Sequence, residues 1–312
     1  MSRLRLVFLG TPEIACPTLR AVHAAGFDLP LVITQPDRPA GRGRKTGRGP
    51  VAALADELGL AVEQPAKAQE ALAQLEALAP DLLLVLAYGQ ILPPAVLAAG
   101  RRGAVNLHFS LLPLLRGAAP INWAIIEGHQ QSGVSSMFMD PGLDTGDVIF
   151  QQATPIGPQE TAGSLAQRLA RTAAGLALTT LEAIAEGAAP RTPQDPALAT
   201  WARLLRKSDG ALDWSRPAAE LDRLVRGLDP WPGAYTQAGG QTLKLFAPTK
   251  VYGDNQGQAP GAVLEPKEGL LSVACGQGAL GLGQVQAAGK RRQDAAEFLR
   301  GARLGPGARL GA

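Results

Sequence analysis

Between Asp81 and Ala87 the chain reads DLLLVLA. Apolar residues at successive positions leave neither face of an extended segment fit for water. The run therefore predicts a strand covered on both sides, as in a parallel sheet. Leu4–Leu9 (LRLVFL), Leu29–Thr34 (LPLVIT), Ala104–Leu107 and the short Ala61–Gln64 read the same way. Helical patterns separate them: one from the Gly10-Thr11-Pro12 turn to about Ala25, then Val51–Leu58, Ala68–Leu78 and Ala118–Glu127. Alternation of this kind predicts an α/β fold whose parallel strands are joined by right-handed crossovers. The stretch Leu82–Gly100 carries no charge over 19 residues, close to the length of a membrane span. Pro93-Pro94 would break a helix there, so a strand, a loop and a short helix are expected, with no membrane association.

Further on the pattern changes. Gly133–Met139 and Asp147–Gln152 are expected to form a strand pair around the loop Asp140–Gly146, followed by one Ala/Leu-rich helix over Ser164–Glu186. Ala189–Pro196 holds three prolines and reads as a linker. Beyond Leu212, short strands punctuated by glycine (LKLFAPTKVY, GAVLEP, LLSVACG, ALGLGQVQ) predict a small antiparallel barrel or sandwich. The expected organisation is a first domain over 1–188, a linker over 189–206 and a second domain over 207–312. Residues 1–200 carry 15 Lys+Arg against 17 Asp+Glu, and residues 201–312 carry 15 against 10. The basic C-terminal third hints at a polyanionic partner. Two cysteines, Cys16 and Cys275, and three histidines exclude a disulfide scaffold and a Cys- or His-based metal cage, and fit a reducing cytosol.

Two segments invite a phosphate-binding reading. Gly10-Thr-Pro-Glu stands where a dinucleotide fold places GxGxxG, but the second and third glycines are missing, which argues against a nicotinamide or flavin enzyme. Arg38–Arg48 contains five cations and three glycines. It is expected to form no regular element: either a solvated loop or a mobile arm that orders on a phosphate backbone.

The richest chemistry lies in NLHFSLLPLLRGAAP, Asn106 to Pro120. Asn106 and His108 are two apart at the carboxyl end of a parallel strand, so they share a face where open α/β sheets bind ligands. Shortly after, Asp140, Asp144 and Asp147 place three carboxylates on a glycine-rich turn. Asn, His and Asp supply an oxyanion donor, a proton-transfer group and an orienting base, the set that acyl transfer to an amine requires. No serine or cysteine sits in a nucleophile elbow, which favours direct transfer over an acyl-enzyme. Metal binding by DxGxDxGD is the competing reading, against which the spacing and the missing twelfth-position glutamate speak. Trp123 and Trp231 read as core residues rather than nucleotide-stacking ones.

The segments VFLGTPE, TQPDRPAGRGRK, AYGQILP, NLHFSLLPLLRGAAPINWAI and MDPGLDTGDVI, in this order, closely resemble the methionyl-tRNA formyltransferases. The match runs from residue 6 to about 152, with weaker echoes at Asp213-Trp214 and Asp229–Pro232. The resemblance implies a Rossmann-like formyltransferase domain followed by an OB-like barrel. The implied reaction moves a formyl group from 10-formyltetrahydrofolate to the α-amino group of initiator methionyl-tRNA, without a metal, in the cytoplasm, and a monomer is expected. The family's catalytic Asn, His and Asp fall on Asn106, His108 and Asp144. Its folate-contacting SLLP falls on Ser110, Leu111, Leu112 and Pro113, and its pterin-receiving segment resembles Tyr88 to Leu92, with Tyr88, Gln90, Ile91 and Leu92. Its tRNA-contacting basic loop falls on Arg38, Arg42, Arg44 and Lys45. Phe109 departs from the family's small residue and could reshape the folate pocket.

Two rivals stay open on sequence alone. A same-fold enzyme would formylate a small acceptor or hydrolyse formyltetrahydrofolate, and an RNA-binding protein of this fold would have lost catalysis. Against the first stand the RPAGRGRK loop and the basic C-terminal third, and against the second the intact Asn106, His108 and Asp144. Truncation near Pro196 is expected to leave a folded α/β domain that uses tRNA poorly.

Overall fold

The computed structural model describes residues 4–40, 45–301 and 304–311. The α/β half is a seven-stranded sheet. Its strands, in spatial order, are Val148–Pro155, Gln131–Phe138, Ala104–His108, Leu82–Leu86, Arg5–Gly10, Asp28–Ile33 and Val62–Glu63. The expected parallel pairing holds from Ala104–His108 to the far edge. Gln131–Phe138 runs antiparallel to Ala104–His108, so the sheet is mixed rather than wholly parallel. Both faces of the central strands are covered. Val7, Leu9, Leu83 and Val85 join one cluster with Leu75 and Val96, while the alternating Leu6, Phe8, Leu82, Leu84 and Leu86 are fully buried as well. At about 25 cal/mol per Å² of apolar surface, such a two-sided core is the main force holding the strands in register.

The charge-free stretch after residue 82 resolves into the strand Leu82–Leu86 and the short helix Pro94–Leu97. Among the described residues no helix is long and apolar enough to cross a membrane.

By packing, one compact unit comprises residues 1–117, 132–154 and 166–201, and a second comprises 118–131, 155–165 and 202–312. The units are interleaved in sequence, unlike the end-to-end division expected from the proline-rich linker. The linker stretch itself is fastened within the first unit: Thr192 exchanges both backbone hydrogen bonds with Val148, at 2.9 and 3.0 Å.

In the second unit the strand ladder runs Ala234–Ala238, Gln241–Tyr252, Ala279–Ala287, Leu271–Ala274, all antiparallel. Bridges from Val263 to Val273, Ala262 to Arg309 and Ala238 to Leu310 connect its two outer strands. The ladder thereby closes into a ring, the expected barrel. Inside it Trp214 donates from Nε1 to Thr236 Oγ1 at 3.0 Å. The helix Pro120–Ile126 meets the helix Ala218–Gly227 at Gly227, where a Cβ would stand 2.4 Å from Ile126 Cγ1, and Asn122 Nδ2 donates to Gly227 O at 2.7 Å. Trp231 is not core: it is 53% exposed. It stands in the turn that follows the helix Ala218–Gly227. Trp123 is only partly buried, with Nε1 donating to Arg203 O at 2.8 Å.

The basic segment is not wholly irregular. Arg38–Ala40 pairs antiparallel with Lys45–Gly47. The base of this hairpin is pinned because Asp37 Oδ1 accepts from Gly49 N at 3.0 Å and from Gln64 Nε2 at 2.8 Å. Those two bonds, with Arg48 close by, hold the Asp37 carboxyl below its ordinary range. Arg42 and Arg44, two of the expected tRNA contacts, lie outside the described residues.

Candidate active site

The strand Ala104–His108 lies beside Leu82–Leu86 on one side and Gln131–Phe138 on the other. Val105 and Leu107 are buried on one face, and Asn106 and His108 alternate onto the other. His108 is 6% exposed, and its Nε2 lies 2.9 Å from Leu115 O. A carbonyl oxygen only accepts, so Nε2 carries a proton. The other nitrogen, Nδ1, stands 3.7 Å from Asp144 Oδ2. In the neutral ring this leaves Nδ1, the nitrogen facing the carboxylate, as the one that accepts. Asn106 is half-buried, and no hydrogen bond to its side-chain amide occurs among the described residues. The amide is thus available to a ligand.

The three carboxylates of the glycine-rich turn do different things. Asp140 caps its own turn, Oδ1 accepting from Gly142 N at 3.0 Å and Thr145 Oγ1 at 2.6 Å. Asp147 lies 3.5 Å from Arg191. Only Asp144 faces the histidine. Its residue adopts φ 54°, in the left-handed region that Asp and Asn tolerate better than most residues. Oδ2 also accepts from Gly117 N at 2.8 Å, which fixes the carboxylate. Gly146 is required by space, since a Cβ there would lie 1.8 Å from Phe138 O.

The SLLP segment is built into the protein by its own polar groups. Ser110 Oγ donates to Leu114 O at 2.6 Å, and Ser135 Oγ donates to Ser110 O at 2.6 Å. Leu112 N donates to Ser135 Oγ at 3.0 Å, and Gln151 Nε2 donates to Leu112 O at 2.9 Å. Leu112 packs with Met137 and Val148. Phe109, the departure from the family pattern, is buried.

Near the carboxyl end of Leu82–Leu86, the segment Tyr88–Leu92 divides by residue. Tyr88 and Leu92 belong to the core, and burial raises the Tyr88 hydroxyl above its usual value. Gln90 Oε1 accepts from Ala68 N at 2.7 Å. Ile91 is 86% exposed. The Tyr88 carbonyl accepts from both Thr11 Oγ1 and Gln35 Nε2, each at 2.9 Å. Thr11 stands in the Gly10-Thr-Pro-Glu turn, so that turn has a task here although it lacks the dinucleotide glycines.

Sequence reasoning missed Arg116, Gln194 and Thr200. Arg116, 4% exposed, donates from Nε and Nη2 to Gln194 Oε1 at 3.1 and 2.7 Å. Gln194 Nε2 donates to Asp144 O at 2.9 Å and Gly146 O at 2.8 Å. Leu115 N donates to Thr200 Oγ1 at 2.8 Å. Partners 48 to 85 residues away leave no local signal.

The Formyl transferase family model matches residues 4–181, and the Formyl transferase C-terminal domain model matches residues 204–303. A methionyl-tRNA formyltransferase from Geobacter sulfurreducens is 46% identical over 314 residues, covering 100% of this chain and 98% of that protein. Among solved structures, WlaRD, a sugar 3N-formyl transferase determined with dTDP and 5-N-formyl-THF, superposes with TM-score 0.68 at 16% identity over 92% of this chain and 99% of that one. HypX from Aquifex aeolicus in complex with tetrahydrofolic acid gives TM-score 0.64 at 19% identity, covering 96% of this chain but 47% of that one. At those identities the two structures show a shared fold.

Proposed function

The chain belongs to the methionyl-tRNA formyltransferase family, and from that premise we propose that it transfers the formyl group of 10-formyltetrahydrofolate to the α-amino group of initiator methionyl-tRNA. The product, N-formylmethionyl-tRNA, would serve translation initiation in the cytoplasm. The observation that carries the tRNA acceptor is the extent of the likeness: 46% identity covers the whole chain, C-terminal domain included.

The neutral amine attacks the formyl carbon, a C–N bond forms, and the carbonyl oxygen becomes an oxyanion. Asn106, whose amide has no partner among the described residues, donates a hydrogen bond to that oxygen. His108 keeps Nε2–H on Leu115 O and turns Nδ1 toward Asp144. The amine proton passes to this pair, directly or through a water. Collapse of the intermediate breaks the bond from the formyl carbon to N10 of the folate, which leaves with a proton. Preorganised donors of this kind are worth about 10²–10³ in rate each.

The folate is assigned to the surface formed by Ser110–Pro113 and Tyr88–Leu92. Since Tyr88 and Leu92 are buried and the Gln90 amide is bonded to Ala66 and Ala68, the second segment would offer its main chain and Ile91 to the pterin. Arg38, Arg42, Arg44 and Lys45 are assigned to the acceptor arm of the tRNA.

The test is formylation of initiator methionyl-tRNA beside elongator methionyl-tRNA and glycinamide ribonucleotide. Turnover on the initiator alone supports the assignment. Turnover on the small acceptor, or formate release without any acceptor, overturns it. Arg42→Ala should weaken tRNA-dependent turnover while leaving folate binding intact.

A further inference from the structure

Two catalytic groups, His108 and Asp144, rest on backbone atoms that lie in strained positions. Leu115, whose carbonyl receives His108 Nε2–H, has φ 56°, and Asp144 has φ 54°. Leucine in the left-handed region costs of order 1 kcal/mol or more and persists only where surroundings enforce it. The enforcing groups come from one segment, Thr192–Thr200, which follows the helix Ala162–Glu186. Thr200 Oγ1 accepts from Leu115 N at 2.8 Å, and Thr200 O accepts from Arg116 N at 2.9 Å. Six residues earlier, the Gln194 amide joins the other half of the site. Its nitrogen donates to the carbonyls of Asp144 and Gly146, and its oxygen accepts from the buried Arg116. Thr192 anchors the start of the segment to Val148, directly after the carboxylate turn.

We propose that Gln194 and Thr200 are positioning residues for formyl transfer: a strap over 192–200 that sets where the Leu115 carbonyl and the Asp144 carboxylate stand, and through them the placement of His108. The inference rests on the catalytic roles proposed above. Neither residue touches the reacting atoms. Each acts on one neighbour of the histidine, Thr200 on the carbonyl at Nε2 and Gln194 on the carboxylate at Nδ1. The chemistry at Gln194 demands an amide. Its oxygen must accept from a guanidinium while its nitrogen donates to two carbonyls. A carboxylate there would keep the first role and lose the second, and a methionine would keep the length and lose both.

The expected effect falls on kcat. Displacing a catalytic group by about 1 Å can cost about 10²-fold in rate, so Gln194→Met and Thr200→Val should each lower kcat roughly ten- to hundredfold. KM for formyltetrahydrofolate and for methionyl-tRNA should stay within about threefold, because the Gln194 and Thr200 side chains bond to Arg116, Asp144, Gly146 and Leu115 and not to the segments assigned to the substrates. Gln194→Glu should fall with Gln194→Met, and Thr200→Ser should restore most of the Thr200→Val loss. Folding of each variant is checked by circular dichroism and its thermal midpoint. The second readout needs no turnover. With only His23, His108 and His129 in the chain, the His108 ring signal can be assigned by NMR. It should shift in Gln194→Met and Thr200→Val while the other two stay in place. Unchanged kcat with an unmoved His108 signal would overturn the proposal, as would a loss confined to KM. If the unsubstituted chain formylated no methionyl-tRNA, the proposed function would fall, and the imidazole signal would still decide for or against the strap.

Discussion

Asp144→Asn separates the charge of the carboxylate from its structural service. Asp144 Oδ2 performs two tasks, accepting from Gly117 N at 2.8 Å and facing His108 Nδ1 at 3.7 Å. Asparagine keeps an acceptor oxygen for Gly117 and tolerates the left-handed backbone, so the loop should hold its shape. What disappears is the charge opposite the imidazole. Two unit charges about 4 Å apart interact by about 4 kcal/mol at an effective dielectric of about 20. At about 1.4 kcal/mol per tenfold, the ceiling on the rate loss is roughly three decades. Loss of a positioned acid–base partner typically costs about 10²–10⁴. We therefore expect kcat for methionyl-tRNA formylation to drop about 10²–10³-fold. One weakened hydrogen bond of about 1 kcal/mol should lower the thermal midpoint by only about 2–4 °C. The assay is single-turnover formylation with folate and tRNA saturating, beside a thermal melt of the same preparation. A rate within about threefold of the unsubstituted protein would refute the charge argument. A collapse of the melt alongside the rate would assign Asp144 to the fold instead. Asp144→Ala is the weaker probe, since it also orphans Gly117 N–H at a cost of about 1–3 kcal/mol.

Asn106→Ala should lower kcat by about 10²–10³ with little effect on folate affinity, the cost of one oxyanion donor; a loss of only a few fold would remove Asn106 from the mechanism. Asp209 is held down to about 2 by the Arg203 guanidinium and by Arg206 N–H, against 3.8 when unperturbed. Its depressed folded-state value stabilises the protein above pH 3.8, and the benefit is lost as pH falls toward about 2. The melting advantage of the unsubstituted protein over Asp209→Asn should therefore be present at pH 6 and shrink toward pH 2, and a constant gap would contradict the linkage. Leu310, 2% exposed at the barrel seam, should cost roughly 2–5 kcal/mol as Leu310→Ala in denaturant unfolding; a change near zero would mean the seam is not packed. Burial pushes the Cys275 thiol up to about 12, so a thiol reagent at pH 8 should modify it only on unfolding, and rapid labelling of the native protein would contradict that.

The parallel strands were legible because DLLLVLA and LRLVFL can satisfy their apolar side chains only between two covering layers. The site was legible at its centre for a related reason: Asn106 and His108 interrupt an apolar strand at its end, and polar residues there need a task. The choice among Asp140, Asp144 and Asp147 was not readable from spacing. It depends on which carboxylate the turn aims inward, and Asp140 is consumed by Gly142 and Thr145. Ala189–Pro196 looked like a linker because proline marks absent regular structure, yet absence of helix or strand is not absence of contacts. Gln194 and Thr192 are bonded to residues far away in sequence. Likewise Arg38–Arg48 showed its charge but not the hairpin at its base, which Asp37, Gly49 and Gln64 impose. The interleaving of the two units also rewrites the expected truncation: a chain ending near Pro196 would lose Thr200 from Leu115 and leave the helix Pro120–Ile126 without its partner at Gly227.

A ribosome delivers this polypeptide in one direction, and the ring of the second unit is not assembled in that order. Its strands between Ala234 and Ala287 can pair as soon as they emerge, but two of the closing bridges engage Arg309 and Leu310. Until those residues appear, Ala234–Ala238 and the stretch at Ala262 stand as open edges, the surfaces on which β-proteins associate wrongly. The barrel is thus exposed for a definite interval of its own synthesis. Closure waits for Arg309 and Leu310.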